Sequence, residues 1–216
     1  MTWNPVTGCT KVSQGCKHCY AERMAYRLQA MGLERYRNAF QVTLHHDLLD
    51  VPLSWKKPRV IFVNSMSDLF HEDIPVEFIE AVFKTIKQCP QHVFQILTKR
   101  SERLRSLANH LDWHQNIWMG VSVENSEVMH RIADLKPVPA HVRFLSCEPL
   151  IGPLNALELE GIHWVIVGGE SGPGYRPMET QWARDLRCLA ERSRVAYFFK
   201  QSAAPRTETG IELDGQ

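Results

Sequence analysis

The sequence predicts an α/β fold: a single (β/α) barrel-like domain over residues 1–216, complete or partly open. Three observations carry this. Short apolar runs rich in β-branched and aromatic residues alternate with stretches of helical periodicity. The connections are short, as βαβ units with right-handed crossovers require. The runs also end in dense polar sets on their C-terminal side, the side where a parallel barrel carries its active site. An open doubly wound sheet is the second architecture that fits.

Thr2 to Thr7 opens the barrel. Tyr20 to Met31 reads as a helix, closed by Gly32 at a C-cap position. Phe40 to Leu44 is a weaker strand. Arg59 to Asn64 is a stronger one, reading R-V-I-F-V-N. Pro75 to Gln88 carries Phe78, Ile79, Val82, Phe83 and Ile86 at helical spacing. His92 to Thr98 is the next strand, and Ser101 starts a helix with Leu104, Leu107 and Leu111. Asn116 to Val123 is followed by a helix over Ser126 to Leu135. His141 to Ser146 and His163 to Gly168 are strands. A helix over Thr180 to Arg192, with Trp182, Leu186 and Leu189 on one stripe, leads to the last strand, Val195 to Lys200. The count is seven or eight strands. Ser101, Ser126 and Thr180 stand where they can cap their helices. The near-continuous apolar runs fit strands buried on both faces.

Composition sets broad bounds. Hydrophobic residues make up 44% of the chain, an ordinary supply for a folded core. The 25 basic and 24 acidic residues give no global pull toward nucleic acid, which leaves a local basic groove open. No apolar run approaches the roughly 18 residues of a membrane span. The N-terminus lacks a basic-then-apolar export pattern, so a cytoplasmic location is expected. A chain of this size without an export signal does not need disulfides. Cys89 and Cys188 read as buried free thiols, and Cys147 sits at a strand end.

The polar strand ends are the candidate binding residues. They are Asn64, Ser65, Ser67 and Asp68; Ser122, Glu124 and Asn125; Glu148; Gly168, Gly169 and Glu170; and Lys200. Thr98-Lys99-Arg100 reads equally as an anion site and as a solvated helix start. The glycines let backbone approach a ligand closely and present N–H groups. His45-His46-Asp47 invites a metal reading, which the opposite facing of adjacent strand residues disfavours. Trp55-Lys56-Lys57-Pro58-Arg59 reads as a solvated loop, with nucleic-acid backbone contact as its functional alternative.

Cys9, Cys16 and Cys19 form C-x6-C-x2-C near the N-terminus. Thiolates suit iron–sulfur clusters and zinc. Structural zinc usually takes four ligands, and here a fourth would have to come from His45, His46, His71 or Cys147 in space. A [4Fe–4S] cluster held by these three thiols needs no further ligand and leaves one iron open. Tyr20, directly after Cys19, is placed to pack on such a cluster.

The segment that ends in Cys16-Lys17-His18-Cys19-Tyr20, with a helix behind it, resembles the radical S-adenosylmethionine superfamily. The whole chain resembles a phage- and prophage-associated three-cysteine family of unknown function placed near that superfamily. The resemblance rests on Trp3 to Thr10, Gly15 to Ala21, Asn64 to Phe70, Leu97 to Arg100, Gly120 to Asn125, Phe144 to Leu150, Gly168 to Pro173 and Phe198 to Gln201. Two features depart from the superfamily. Its first cysteine gap is three residues rather than six. Its Gly-Gly-Glu segment follows the second strand, whereas Gly168-Gly169-Glu170 comes late.

The resemblance implies a radical-SAM-like barrel with Cys9, Cys16 and Cys19 on three irons of a [4Fe–4S] cluster. The fourth iron would chelate S-adenosyl-L-methionine. Reductive cleavage would then give a 5′-deoxyadenosyl radical that abstracts hydrogen from an unidentified substrate, a nucleic acid or nucleotide being one class. Asn64 to Asp68 and Ser122 to Asn125 are the expected cofactor contacts. A donor such as flavodoxin or ferredoxin would supply the electron. The competing class is a non-catalytic, metal-stabilised nucleic-acid-binding or phage accessory protein.

Overall fold

The structure is a computed structural model and describes residues 1–215. In chain order the elements are β1 (Thr2–Trp3), β2 (Val6–Thr7), α1 (Tyr20–Ala30), β3 (Thr43–Leu44), β4 (Val60–Val63), α2 (Val76–Lys87), β5 (Val93–Thr98), α3 (Ser101–Leu107), β6 (Ile117–Ser122), α4 (His130–Leu135), β7 (Val142–Cys147), β8 (Trp164–Gly168), α5 (Thr180–Ser193) and β9 (Ala196–Gln201). Seven strands form one parallel sheet in the order β1-β4-β5-β6-β7-β8-β9, curled into a half-barrel flanked by helices. The partly open form is thus the one adopted, with β1 and β9 at its edges. The expected strand over Phe40 to Leu44 does not join it. Only Thr43–Leu44 is extended, and it pairs antiparallel with β2 in a separate two-stranded sheet. Among the described residues no helix is long and apolar enough to cross a membrane.

The sheet is not buried alike on its two faces, which corrects the expectation from the apolar runs. The outer face, with Ile61, Val63, Phe94, Ile96, Val165 and Val167, is fully covered in the helix-packed core. The inner face carries Phe62, Leu97, Trp118, Trp164 and Ile166 only partly covered, and Phe198 exposed. Burial of one apolar face supplies the stability such a sheet needs, at roughly 25 cal/mol per Å². The inner face is covered only in part, with Phe144, Ser122 and Ser146 buried and the other inner-face residues just named not buried.

The expected serine and threonine caps are not formed. Ser101 and Thr180 are the first helical residues, after Arg100 and Glu179, and neither cap makes a side-chain bond. Ser101 Oγ instead donates to Asp134 Oδ2 at 2.7 Å, joining α3 to α4. At the turn before α4 the cap is Asn125, whose Oδ1 accepts from the Glu127 N–H at 3.2 Å. All six cysteines are free. Cys89 and Cys147 are buried, but Cys188 is exposed on α5, contrary to expectation.

Candidate functional site

A cavity of about 330 Å³ opens at the C-terminal ends of the parallel strands. That volume lies in the range of small-molecule sites, roughly 300–1,000 Å³. Cys9, Cys16 and Cys19 all line it, as do Asn64, Ser65, Ser67 and Asp68 after β4. Ser122, Glu148, Gly169 and Glu170 complete the expected residues found in its wall. Glu124, Asn125, Gly168 and Lys200 stand behind or beside the wall, and their bonds give them other work.

Local geometry brings the cysteines there. After β2 the chain takes a left-handed step at Gly8, φ +86°, where an added Cβ would lie 2.1 Å from the Gln41 carbonyl oxygen. The Gly8 N–H donates to the Met66 carbonyl and the Cys9 N–H to that of Phe40, at 3.0 and 3.1 Å. Cys19 directly precedes α1, whose Ala21 and Ala25 pack on Met66. The loop between is held by the ends of three separate strands.

The first hold is Arg100, after β5. It is buried, donating from Nη2 to the Thr10 carbonyl at 3.1 Å and from Nη1 to Cys9 Sγ at 3.4 Å. Its Nε donates to Glu72 at 2.8 Å, and Asp68 accepts from Nη1 at 3.3 Å. Asp68 also accepts from Thr98 Oγ1 and the Phe70 and Lys99 N–H groups, so it braces Arg100 and has little left for a ligand. His71 Nδ1 accepts from the Asp73 N–H, which leaves Nε2 to donate to Thr10 Oγ1 at 2.8 Å.

The second hold is Glu124, after β6 and almost wholly buried. It accepts from Ser13 Oγ at 2.8 Å, from Lys99 Nζ, and from Arg131 Nη1 at 2.9 Å. Burial alone would raise its pKa, but Lys99 and Arg131 outweigh that and hold it below the usual carboxylate range. Gly15 rests directly on it: a Cβ there would meet Glu124 Oε1 at 2.3 Å. The third hold is Glu170, after β8. It accepts from His18 Nδ1 at 3.0 Å, from the Arg176 N–H at 2.8 Å, and from the Arg176 guanidinium. Burial opposes its ionisation, yet the Arg176 and His18 bonds bring its pKa down to about 2.

Lys99 and Arg100 therefore turn inward and are not a solvated helix start. Gly168 and Gly169 are explained by packing: an added Cβ would lie 3.3 Å from Glu148 Cδ and 2.2 Å from the Ala203 nitrogen. Lys200 pairs with Glu148 at 2.8 Å. Sequence reasoning missed Ser13, His18, Arg131 and Arg176. The signal available for the arginines was only their nearness to carboxylate-bearing strand ends.

The fit of a bound group rests on the donor set. Three soft thiols around a cavity suit an iron–sulfur cluster. Burial and the nearby Asp68 carboxylate push the Cys9 thiol up to about 11 against the pull of Arg100, so a metal there must displace its proton. Asn64 lines the cavity with a left-handed backbone, φ +60°, and its Nδ2 is buried without a partner. Such a donor costs stability unless something accepts from it. Among the described residues no three His, Cys, Asp or Glu side chains gather around a single-ion site. His45 is bonded to Thr7, His46 packs edge-on to Phe78, and Cys147 is fully buried, so these suggested fourth ligands are engaged elsewhere.

The fold and site define a class: a parallel α/β half-barrel with a three-thiol cavity at its strand ends. The chain matches the family described as Protein of unknown function (DUF5131) over residues 1–216, and it belongs to that family. The description assigns no activity. No curated protein and no solved structure matches the chain.

Proposed function

We propose that the chain is a radical S-adenosylmethionine-like iron–sulfur enzyme. One observation supports this above others: Cys9, Cys16 and Cys19 open on the same cavity as the polar ends of the parallel strands. When bound, a [4Fe–4S] cluster with one open iron supplies the electron and the chelation that cleave S-adenosyl-L-methionine reductively and start hydrogen abstraction. The chain's own residues bind and orient. Arg100 fixes Cys9 and places positive charge against its sulfur. Asn64 offers its free N–H to a carboxylate or ribose oxygen, with Ser65, Ser67, Ser122 and Glu148 beside it. Phe62 and Leu97 form an apolar part of the wall, which favours exclusion of water. A flavodoxin- or ferredoxin-type donor would reduce the cluster.

Anaerobic purification with iron and sulfide analysis tests this reading. About four irons per chain are expected, as a cubane requires. Cys9→Ala, Cys16→Ala and Cys19→Ala should each remove most of the iron, and Cys188→Ala, on exposed α5, should not. Stoichiometric zinc without iron, in protein never exposed to oxygen, would leave a structural metal site instead. The loaded, reduced protein should release 5′-deoxyadenosine and methionine from the cofactor. A loaded protein that gives neither, and no spectral change on adding the cofactor, would end the radical reading.

A further inference from the structure

We infer that the inner face of the half-barrel, on the N-terminal side of the cavity, binds single-stranded nucleic acid. The register of the parallel strands sets this face out in layers. Phe62, Gln95, Trp118 and Val142 stand side by side. The next layer is Leu97, Gly120, Phe144, Trp164 and Ala196. Above it run Ser122, Ser146, Ile166 and Phe198, where Ser122 and Ser146 already belong to the cavity wall. The apolar face therefore runs continuously into the three-thiol cavity.

The rings of this face touch one another. Trp118 and Trp164 meet edge-to-face with centroids 6.1 Å apart, and Phe144 lies 5.7 Å from Trp164. Gly120 is needed between them, since its Cβ would fall 2.4 Å from the Phe144 ring. Phe198 on the edge strand is 50% exposed, and Val60 at the foot of β4 is 53% exposed. Among the described residues none of Phe62, Trp118, Trp164 and Phe198 packs into the helix-covered core. Gln95 stands between Phe62 and Trp118 as a hydrogen-bonding group.

Charge selects the occupant. Lys56, Lys57 and Arg59 lead into β4 and are exposed, and Arg194, also exposed, leads into β9. At the opposite end of the strands Lys99, Arg100, Arg131 and Lys200 are each paired with a carboxylate. Exposed cations therefore stand on the N-terminal side of the aromatic layers, at the entries to β4 and β9. Cations that follow a backbone, next to rings on which bases stack, are the two parts of a single-strand site. A duplex keeps its base faces covered and has no use for the rings. A second copy of the chain would set this cationic rim against itself. The inference concerns binding and does not depend on a cluster; where the proposed enzyme reading also holds, it names the substrate class.

Fluorescence anisotropy with labelled oligouridine and oligothymidine 12-mers, and with a duplex control, on the whole protein tests it. Single strands should bind more tightly than the duplex. Phe198→Ala, on an exposed edge, and Trp118→Leu should each weaken binding about tenfold, the usual loss of one stacked base. Lys57→Ala with Arg59→Ala should weaken all sequences alike and flatten the log–log salt dependence by about 1.4, at about 0.7 per phosphate. If Trp118→Leu fails to fold, the exposed positions decide. No binding at low salt, duplex preferred, or affinity unchanged by both Phe198→Ala and the double variant would overturn the inference. So would a dimer in sedimentation that Phe198→Ala dissolves, which would assign the face to a second copy. Loss of 5′-deoxyadenosine formation in the same protein leaves these readouts untouched.

Discussion

The two faces of the seven-stranded sheet come from alternate residues of the same strands. Ile96 points into a packed core with no exposure, while Leu97 lines an open cavity. Along the inner face there is a second contrast. At the C-terminal ends the charges named above are matched, and Arg100, Glu124 and Glu170 brace the cysteine loop. At the N-terminal ends the rings touch one another outside the helix-packed core, and Lys56, Lys57, Arg59 and Arg194 are exposed. The outer face maintains the fold, the upper inner face maintains one loop, and the lower inner face is left for something outside the chain.

Four measurements break or sharpen this contrast. The largest effect is expected from Glu124→Ala, which strands Lys99 and Arg131 in a buried site. Urea unfolding should show a loss of about 3–5 kcal/mol, the usual result of removing one partner of a buried pair. A loss below 1 kcal/mol would mean the loop does not depend on this anchor. Next, Ile96→Ala should cost about 2–5 kcal/mol as a cavity in the outer core. Leu97→Ala should cost clearly less, and equal losses would mean the inner face is closed.

Third, acid should weaken the hold at Glu170. Its pKa is lowered to about 2 in the folded state, so its contribution is present above the unfolded value near 4.5 and is lost as pH falls toward 2. Urea midpoints between pH 6 and pH 3 should fall more for the native chain than for Glu170→Gln; parallel curves would remove Glu170 from the account. The smallest effect belongs to Glu148→Ala. Its partner Lys200 is 45% exposed, so a stability change of about 0–1 kcal/mol is expected by the same unfolding assay. A larger change would make this pair another anchor.

Much of the scaffold was legible. The six longer strands lie within a residue or two of the apolar runs, because those runs are bounded by helix starts and polar ends. The three thiols and the strand ends do share one mouth, as the βα pattern required. What could not be read was which face each run would cover. Phe62, Leu97, Trp118 and Trp164 are as apolar as Ile61, Ile96, Met119 and Val165, so alternation was masked and the runs looked buried on both sides. The loop's holds were hidden for another reason. Ser13 and Glu124 are 111 residues apart, and His18 and Glu170 are 152 apart, so no local pattern connects them. The short extent of β3 was hidden as well, since pairing with β2 rather than propensity decides it.

The cysteine loop stands on three feet, at Arg100, Glu124 and Glu170, planted on β5, β6 and β8. Three points fix a plane, so the loop cannot tilt without a strand end moving too. The placement of its sulfurs therefore depends on these strand ends as well as on the loop's own sequence. Six residues between the first two cysteines are affordable on such a tripod, where a free-standing loop of that length would wander. With one foot removed, the remaining two define an axis about which the loop can swing. Loss of Arg100 would remove the side-chain hold on the Cys9 sulfur, while the Cys9 N–H kept its bond to Phe40.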